Sequence, residues 1–335
     1  MVCTYKILEQ DDIGKTLESR ELFALDVLLG LSEYPKRISP KYFYDEEGSL
    51  IFKQICELEE YYLTRCEFEI LEKHKDEICQ LVSGETFNLI ELGAGDGHKT
   101  SIILKHFLEL NLNFRYIPID ISESSMQELI QLLNNKLPKI DAYGLVSEYF
   151  NGIKWLSKKE KRKNLILFLG SNIGNFSKSK SYVFLRTLWN SLNHDDILLI
   201  GFDLKKDIDL MLKAYNDSKG LTSKFNLNLL KRINYELNGN FDLNKFRHFS
   251  SYNVYSGAIE SYLVSFEKQT VLLKELGQSF LFDNWEAIHT EYSYKYLELD
   301  IKSLAKETGF IIETQFYDSK KYFVNSIWRL NKPNL

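Results

Sequence analysis

Between Phe87 and Asp203 the chain alternates short, continuously apolar runs with amphipathic stretches, and this alternation constrains the fold more than any other feature. "FNLIEL", "FRYIPID", "YGLVSEYF", "NLILFLG" and "DILLIGFDL" have the length and unbroken apolar character of buried strands. Between them, "TSIILKHFLEL" sets Ile102, Ile103 and Phe107 at helical spacing, and "ESSMQELIQLLNN" and "SYVFLRTLWNSL" read as further helices. Strands without a polar face need cover on both sides, which predicts an α/β fold with a parallel, helix-covered sheet. After Asp203 the pattern changes. Residues 205–246 read as helical and polar, "AIESYLVSFEKQTVLL" as strand-like, and "FIIETQFYD…YFVNSIWRL" as a hairpin. With five prolines in 335 residues, no linker of obvious composition divides the chain.

The bulk chemistry excludes several classes. A net charge of -5 lacks the basic footprint of a general nucleic-acid binder. The basic runs "KKEKRK" (Lys158–Lys163) and "LKK" (Leu204–Lys206) read as solvated faces. Cys3, Cys56, Cys66 and Cys79 form no CxxC pair and have no nearby partnering histidines, so neither a metal site nor a disulfide framework is expected. The opening "MVCTYKILEQDD" is not ordered like a signal peptide, and no apolar run approaches the ~20 residues of a membrane span. A cytoplasmic monomer acting on a small molecule is expected, without nucleic-acid or membrane partners.

The stretch "LIELGAGDGHKT" places three glycines between a strand and a helix, where a backbone can approach a nucleotide. A triphosphate-binding loop would need a glycine directly before Lys99, and His98 stands there. A dinucleotide fingerprint needs G-x-G-x-x-G, whereas Gly93, Gly95 and Gly97 are evenly spaced. The E-x-G-x-G-x-G form starting at Glu91 is common in methyltransferases that use S-adenosylmethionine. Lys99, in the first turn of the following helix, would add charge for the cofactor's carboxylate, alongside the helix N-terminus. Asp120 ends the next strand in "PIDIS", where a carboxylate can accept from both ribose hydroxyls, in a nicotinamide cofactor as well as in S-adenosylmethionine. Two plainer readings stand beside these: Asp120 as a cap for the helix at "SESS", and Gly93 and Gly95 as an ordinary tight turn.

Seven segments in order resemble one family, the histidine-specific N-methyltransferases of the ergothioneine pathway, whose fungal relatives act on tryptophan-derived amines. They are "SPKYFYDEEGSLIF", "YYLTRCEFEIL", "LIELGAGDGHKT", "YIPIDISESS", "LFLGSNIGNF", "AYNDSKGLTSKFNLNLLKRINYEL" and "HTEYSYKY", spanning the chain from about Pro40. The resemblance implies a Rossmann-like class I methyltransferase sheet with a smaller α+β substrate lobe. Residues 1–62 and 204–288 would build that lobe, and residues 63–203 and 289–335 the core. It further implies that Gly93, Gly95, Lys99 and Asp120 hold S-adenosylmethionine, with Glu148 and Tyr149 at the adenine, where relatives carry Asp-Phe.

For the substrate, the resemblance assigns Tyr61, Asn175 and Tyr215 to the amino acid's carboxylate and Tyr44 to its amino group. Glu291 and Ser293 would address an imidazole. Neutral hydroxyl and amide donors suit a carboxylate when no arginine is offered. Ser261 departs from the methionine common beside the substrate side chain, so the pocket is larger and more polar than in histidine-specific relatives. Glu291 and Ser293 can also be read as the charged start and cap of a helix "SYKYLELDIKSLA". Tyr44 and Asn175 are the residues placed to orient the amine lone pair, while His98 reads as a solvent-facing loop residue. The expected activity is Nα-methylation of histidine to its trimethylated betaine. The alternatives are methylation of tryptophan or a modified histidine, a non-catalytic binding homologue, and a nicotinamide oxidoreductase.

Overall fold

A computed structural model describes residues 2–9, 12, 19–157, 162–330 and 332. Residues 158–161 of the basic run and Pro333 lie outside them. Fourteen strands occur among the described residues. In chain order they are β1 (Thr4–Ile7), β2 (Lys36–Arg37), β3 (Phe87–Leu92), β4 (Phe114–Asp120), β5 (Tyr143–Val146), β6 (Lys163–Phe168) and β7 (Ile197–Asp203). There follow β8 (Phe246–Asn253), β9 (Ala258–Ser265), β10 (Gln269–Leu273), β11 (Gln278–Phe282), β12 (Ala287–Tyr294), β13 (Phe310–Tyr317) and β14 (Phe323–Leu330). The chain divides into two compact units, one of Met1–Gly14, Leu63–Lys205 and Lys295–Leu335, the other of Lys15–Tyr62 and Lys206–Tyr294.

The first unit holds an eight-stranded sheet in the order β1-β5-β4-β3-β6-β7-β14-β13. Neighbours from β1 to β7 run parallel, and the β13–β14 hairpin closes the sheet antiparallel to β7. Every residue of β3 and β7 is buried, as their unbroken apolar text requires of a sheet covered on both faces. The helices Ser101–Glu109, Glu123–Lys136 and Lys178–Ser191 connect successive strands. Strand order reverses between β3 and β6, and a ligand crevice in such a sheet forms at the carboxyl ends beside that switch point. This is the α/β methyltransferase sheet expected from the sequence, with β1 added beside β5.

The second unit is built on the four-stranded sheet β2-β12-β9-β8 and the β10–β11 ribbon. Its core joins Phe23 and Val27 of helix Ser19–Ser32 to Phe43, to Phe225, Leu229 and Ile233 of helix Leu221–Glu236, and to Leu263 and Ile288 of the sheet. Asp45 caps helix Glu46–Cys56 by accepting from the Gly48 amide, and the same Oδ1 accepts from Asn228, which ties two helices at one atom.

Three local expectations change. "YGLVSEYF" is a strand only to Val146, and a helix starts at Tyr149. Lys99 precedes the helix, which begins at Ser101. Glu291 and Ser293 lie in β12 and not at a helix start, because Glu291 pairs with Ser261 and Ser293 with Ile259 across the β9–β12 ladder. The helix begins instead at Glu298, where Asp300 accepts from the Leu297 amide.

Candidate active site

In the first unit the glycine loop leaves the carboxyl end of β3 with Gly93, Gly95 and Gly97 all in the left-handed region, at φ of 76°, 53° and 65°. A side chain at Gly93 would put its Cβ 2.8 Å from the Tyr149 hydroxyl and 3.0 Å from Asn172 Nδ2. The loop after β3, the turn after β5 and the turn after β6 therefore meet around Gly93, where only glycine fits.

Asp120, buried at the end of β4, fixes this loop from below. Its Oδ2 accepts from the Gly95 amide at 2.8 Å and its Oδ1 from the Ser122 amide at 2.9 Å. The helix cap is Ser122, whose hydroxyl accepts from the Ser125 amide, so capping does not account for Asp120. Burial raises its carboxyl above the usual range, opposed by the same amide bonds. Each carboxylate oxygen has a second lone pair, so a vicinal diol can still be accepted. Glu91, one strand away, takes hydroxyl bonds from Thr100 and Tyr116. Burial pushes it up to about 7 against the lowering pull of those hydroxyls.

Lys99 stands against the turn after β6, with its Nζ 3.3 Å from where a Cβ on Gly170 would lie. The ammonium pairs with Glu67, a carboxylate on helix Tyr62–Gln80 that the sequence reading passed over. The turn itself is unusual. Gly170 and Ser171 are both left-handed, at φ of 74° and 56°, and the Ser171 hydroxyl accepts from the Asp203 amide. A non-glycine residue in that region marks a turn held by its surroundings, here by the end of β7. Asn175 closes the short 3-10 turn Asn172–Asn175 that follows. Glu148 is exposed and Tyr149 partly buried at the end of β5, and burial first, then the Asp120 charge, raises the Tyr149 phenol. His98 is exposed, with its ring 5.3 Å from Phe68.

In the second unit, Tyr44, Tyr61, Tyr215, Ser261, Glu291 and Ser293 form one neighbourhood. Tyr215 and Ser293 share a hydroxyl–hydroxyl bond of 2.6 Å, although 78 residues apart. The Tyr61 ring lies edge-on to Tyr215 at 6.2 Å and to Phe52 at 6.1 Å, while Tyr44 packs against Phe52 and Phe225. Burial pushes the Tyr61 phenol well above its ordinary value, reinforced by Tyr215, Cys56, Tyr44 and Glu291 around it. Tyr61 is thus a neutral donor at any working pH.

Ser250, Ser261 and Glu291 form a row in register across β8, β9 and β12. Directly opposed residues share a face of a sheet and stand about 5 Å apart at Cβ. Ser250 donates to the Tyr215 carbonyl at 2.9 Å and lies 3.0 Å from His248 Nε2, which joins the row to the tyrosine. Burial lowers His248 to about 4, so it is a neutral imidazole despite the opposing charge of Asp217. The sequence reading missed Ser250 and His248, whose link to the site is made across the sheet.

The donor set suits the expected cofactor: a carboxylate with spare lone pairs at the end of β4, a lysine at the loop, and glycines that let the backbone approach. The chain also matches, over residues 23–330, the family described as histidine-specific methyltransferase, SAM-dependent. It belongs to that family. The histidine N-alpha-methyltransferase of Mycolicibacterium smegmatis is 34% identical over 289 residues, covering 86% of this chain and 89% of the relative. The enzyme of the same name from Mycobacterium tuberculosis is 34% identical over 271 residues, covering 81% and 83%. The L-tryptophan methyltransferase trpM of Psilocybe serbica is 27% identical, covering 97% and 96%. Membership makes this an S-adenosylmethionine-dependent methyltransferase. Among the described residues no helix is long and apolar enough to cross a membrane, and no group of metal-ligating side chains occurs.

Proposed function

We propose that the enzyme methylates the α-amino group of L-histidine, through to the trimethylated betaine of ergothioneine biosynthesis. One observation carries the substrate reading. Glu291, in the unit that holds the three tyrosines, stands in register beside Ser261 and next to the Tyr215–Ser293 pair. An imidazole offers an N–H to a carboxylate acceptor, which an aliphatic side chain cannot do. The two mycobacterial relatives, named for this activity, support the reading.

Bound S-adenosylmethionine supplies an electrophilic methyl group on a sulfonium. The protein's contribution is to position the amine in line with that carbon at roughly 3 Å, a proximity effect of several kcal/mol. Gly93, Gly95, Lys99 and Asp120 would hold the cofactor, with Glu148 and Tyr149 at its adenine. Tyr61, Tyr215 and Asn175 would donate to the amino acid's carboxylate. Their side chains carry no charge, so they leave the nearby amine free to exist as the neutral nucleophile. Tyr44 and Asn175 would orient the lone pair. The four cysteines, none of them in a disulfide, suit a cytoplasmic setting.

A second reading has an observation of its own. Ser261 is buried and polar where a methionine would make an apolar wall, so a modified histidine or a larger ring remains a competing substrate. Mass spectrometry of histidine and tryptophan incubated separately with S-adenosylmethionine decides between them. Mono-, di- and trimethylated histidine is the expected result, and methylated tryptophan alone would overturn the proposal.

A further inference from the structure

Glu67 is fully buried, and it reaches two segments distant in sequence. Its Oε2 receives the Lys99 ammonium, 32 residues away, and the Gly170 amide at 2.8 Å, 103 residues away. Its Oε1 has no hydrogen-bond partner. That oxygen lies 2.5 Å from where a Cβ would stand on Gly201, so β7 carries glycine at the point where the carboxylate needs room.

This is a poor arrangement for stability alone. A buried carboxylate with one orphaned oxygen carries a desolvation cost, and an apolar residue of similar volume commonly fills such a space at no loss. What the arrangement does provide is position. One oxygen atom pins the lysine of the glycine loop and the left-handed turn after β6 to the same helix. A lysine side chain has much rotamer freedom, and fixing it before a ligand arrives removes that loss from binding.

We propose that Glu67 is a positioning residue for the cofactor's amino-acid end: it holds Lys99 and Gly170 in place for the carboxylate of the bound nucleoside. It touches neither cofactor nor substrate and acts through Lys99. The proposal rests on the assignment of Lys99 to that carboxylate.

The test compares two ligands by calorimetry. S-adenosylhomocysteine carries the amino-acid carboxylate, and 5′-methylthioadenosine retains the nucleoside without it. Glu67→Gln keeps the shape and an acceptor for Gly170 but removes the ion pair. It should weaken S-adenosylhomocysteine binding by roughly 10-fold, within the range of a lysine's rotamer freedom, and leave 5′-methylthioadenosine within about 2-fold. In a Lys99→Met background the same change should have no further effect on either ligand. Gly201→Ala, which displaces the Glu67 carboxylate without removing it, should reproduce the selective loss and serves if Glu67→Gln does not fold. An equal loss for both ligands would make Glu67 a structural support only, and tighter S-adenosylhomocysteine binding would make it a competitor for Lys99. Unchanged binding would remove it from the site. Any of these overturns the proposal. Failure of wild type to bind S-adenosylhomocysteine would instead strike the cofactor assignment itself.

Discussion

The methyltransferase unit buries Glu67, Glu91 and Asp120, and each carboxylate is held by particular donors: an ammonium and an amide, two hydroxyls, and two amides. The second unit gathers mostly uncharged groups around Tyr215, with hydroxyls from Ser250, Ser261 and Ser293, a neutral His248, and the carboxylates of Glu291 and Asp217. The difference matches two ligand problems. A nucleoside with a diol and an amino-acid end rewards fixed charges and backbone amides. An amine that must give up a proton before it can attack is better served by neutral donors, since a nearby carboxylate would favour the ammonium. On the proposed assignment, fixed charge would serve the cofactor in the first unit and hydroxyl geometry the substrate in the second.

The largest expected effect tests the charged side. Asp120→Ala removes the proposed diol acceptor and also strands the Gly95 and Ser122 amides that it holds. Affinity for S-adenosylhomocysteine should fall by ~1.5–3 kcal/mol, about ten- to a hundredfold, by calorimetry. Unchanged affinity in a folded variant would remove Asp120 from the cofactor site.

The two units should also respond to pH in opposite directions. Glu91 is raised from 4.5 to about 7, so the folded state binds its proton more tightly than the unfolded chain. Its contribution is full below pH 4.5 and is lost as pH rises through about 7. His248 is lowered from 6.5 to about 4, so its contribution is full above pH 6.5 and is lost as pH falls through about 4. Each limb should amount to ~1–3 kcal/mol, because a tenfold change in proton affinity is worth about 1.4 kcal/mol. The two windows overlap with opposite slopes and largely offset in wild type. Denaturant unfolding from pH 4 to 9 therefore reads each limb, on the order of that size, in the variant that lacks the other. Glu91→Gln should remove the limb that falls towards pH 7, and His248→Asn should reduce the limb that falls towards pH 4, which His289, also lowered to about 4 by burial, shares. A variant that leaves its limb unchanged would show that the group does not titrate as its burial implies.

The smallest effect falls on the neutral side. Tyr215→Phe deletes the hydroxyl shared with Ser293 and should cost ~0.5–1.5 kcal/mol in histidine binding while cofactor affinity holds. Equal losses for both ligands would mean that the two sites are not energetically separate.

The same contrast explains what could be read before the structure. The glycine loop is contiguous, and its glycines sit where the backbone conformation demands them, so strand, turn and helix order followed from spacing. The apolar strands were legible for the same reason. "YGLVSEYF" was overextended because aromatic residues suit strands and helix starts alike, and only the tertiary setting begins a helix at Tyr149. Ser293 resembles a helix cap in isolation, but the β9–β12 ladder overrides that local preference. "AIESYLVSFEKQTVLL" proved to be two strands in different sheets, β9 and β10. The substrate set could not be read from spacing. Tyr215 and Ser293 are 78 residues apart, and only the family resemblance named them together. Glu67 lay inside a recognised motif yet carried no visible role, because its partners are 32 and 103 residues away.

The central claim is that the substrate unit reads an imidazole through Glu291. Steady-state kcat/KM for histidine and for tryptophan, in wild type and in Glu291→Ala, tests it most directly. Removing the carboxylate leaves a ring N–H unpaired in a desolvated pocket, at ~1–3 kcal/mol, and opens volume beside Ser261. The predicted result is that kcat/KM for histidine falls five- to a hundredfold, on the order of that energy, while tryptophan turnover is unchanged or rises. Affinity for S-adenosylhomocysteine should stay constant. A parallel fall for both amino acids would contradict the claim, since Glu291 would then support β12 without reading the side chain.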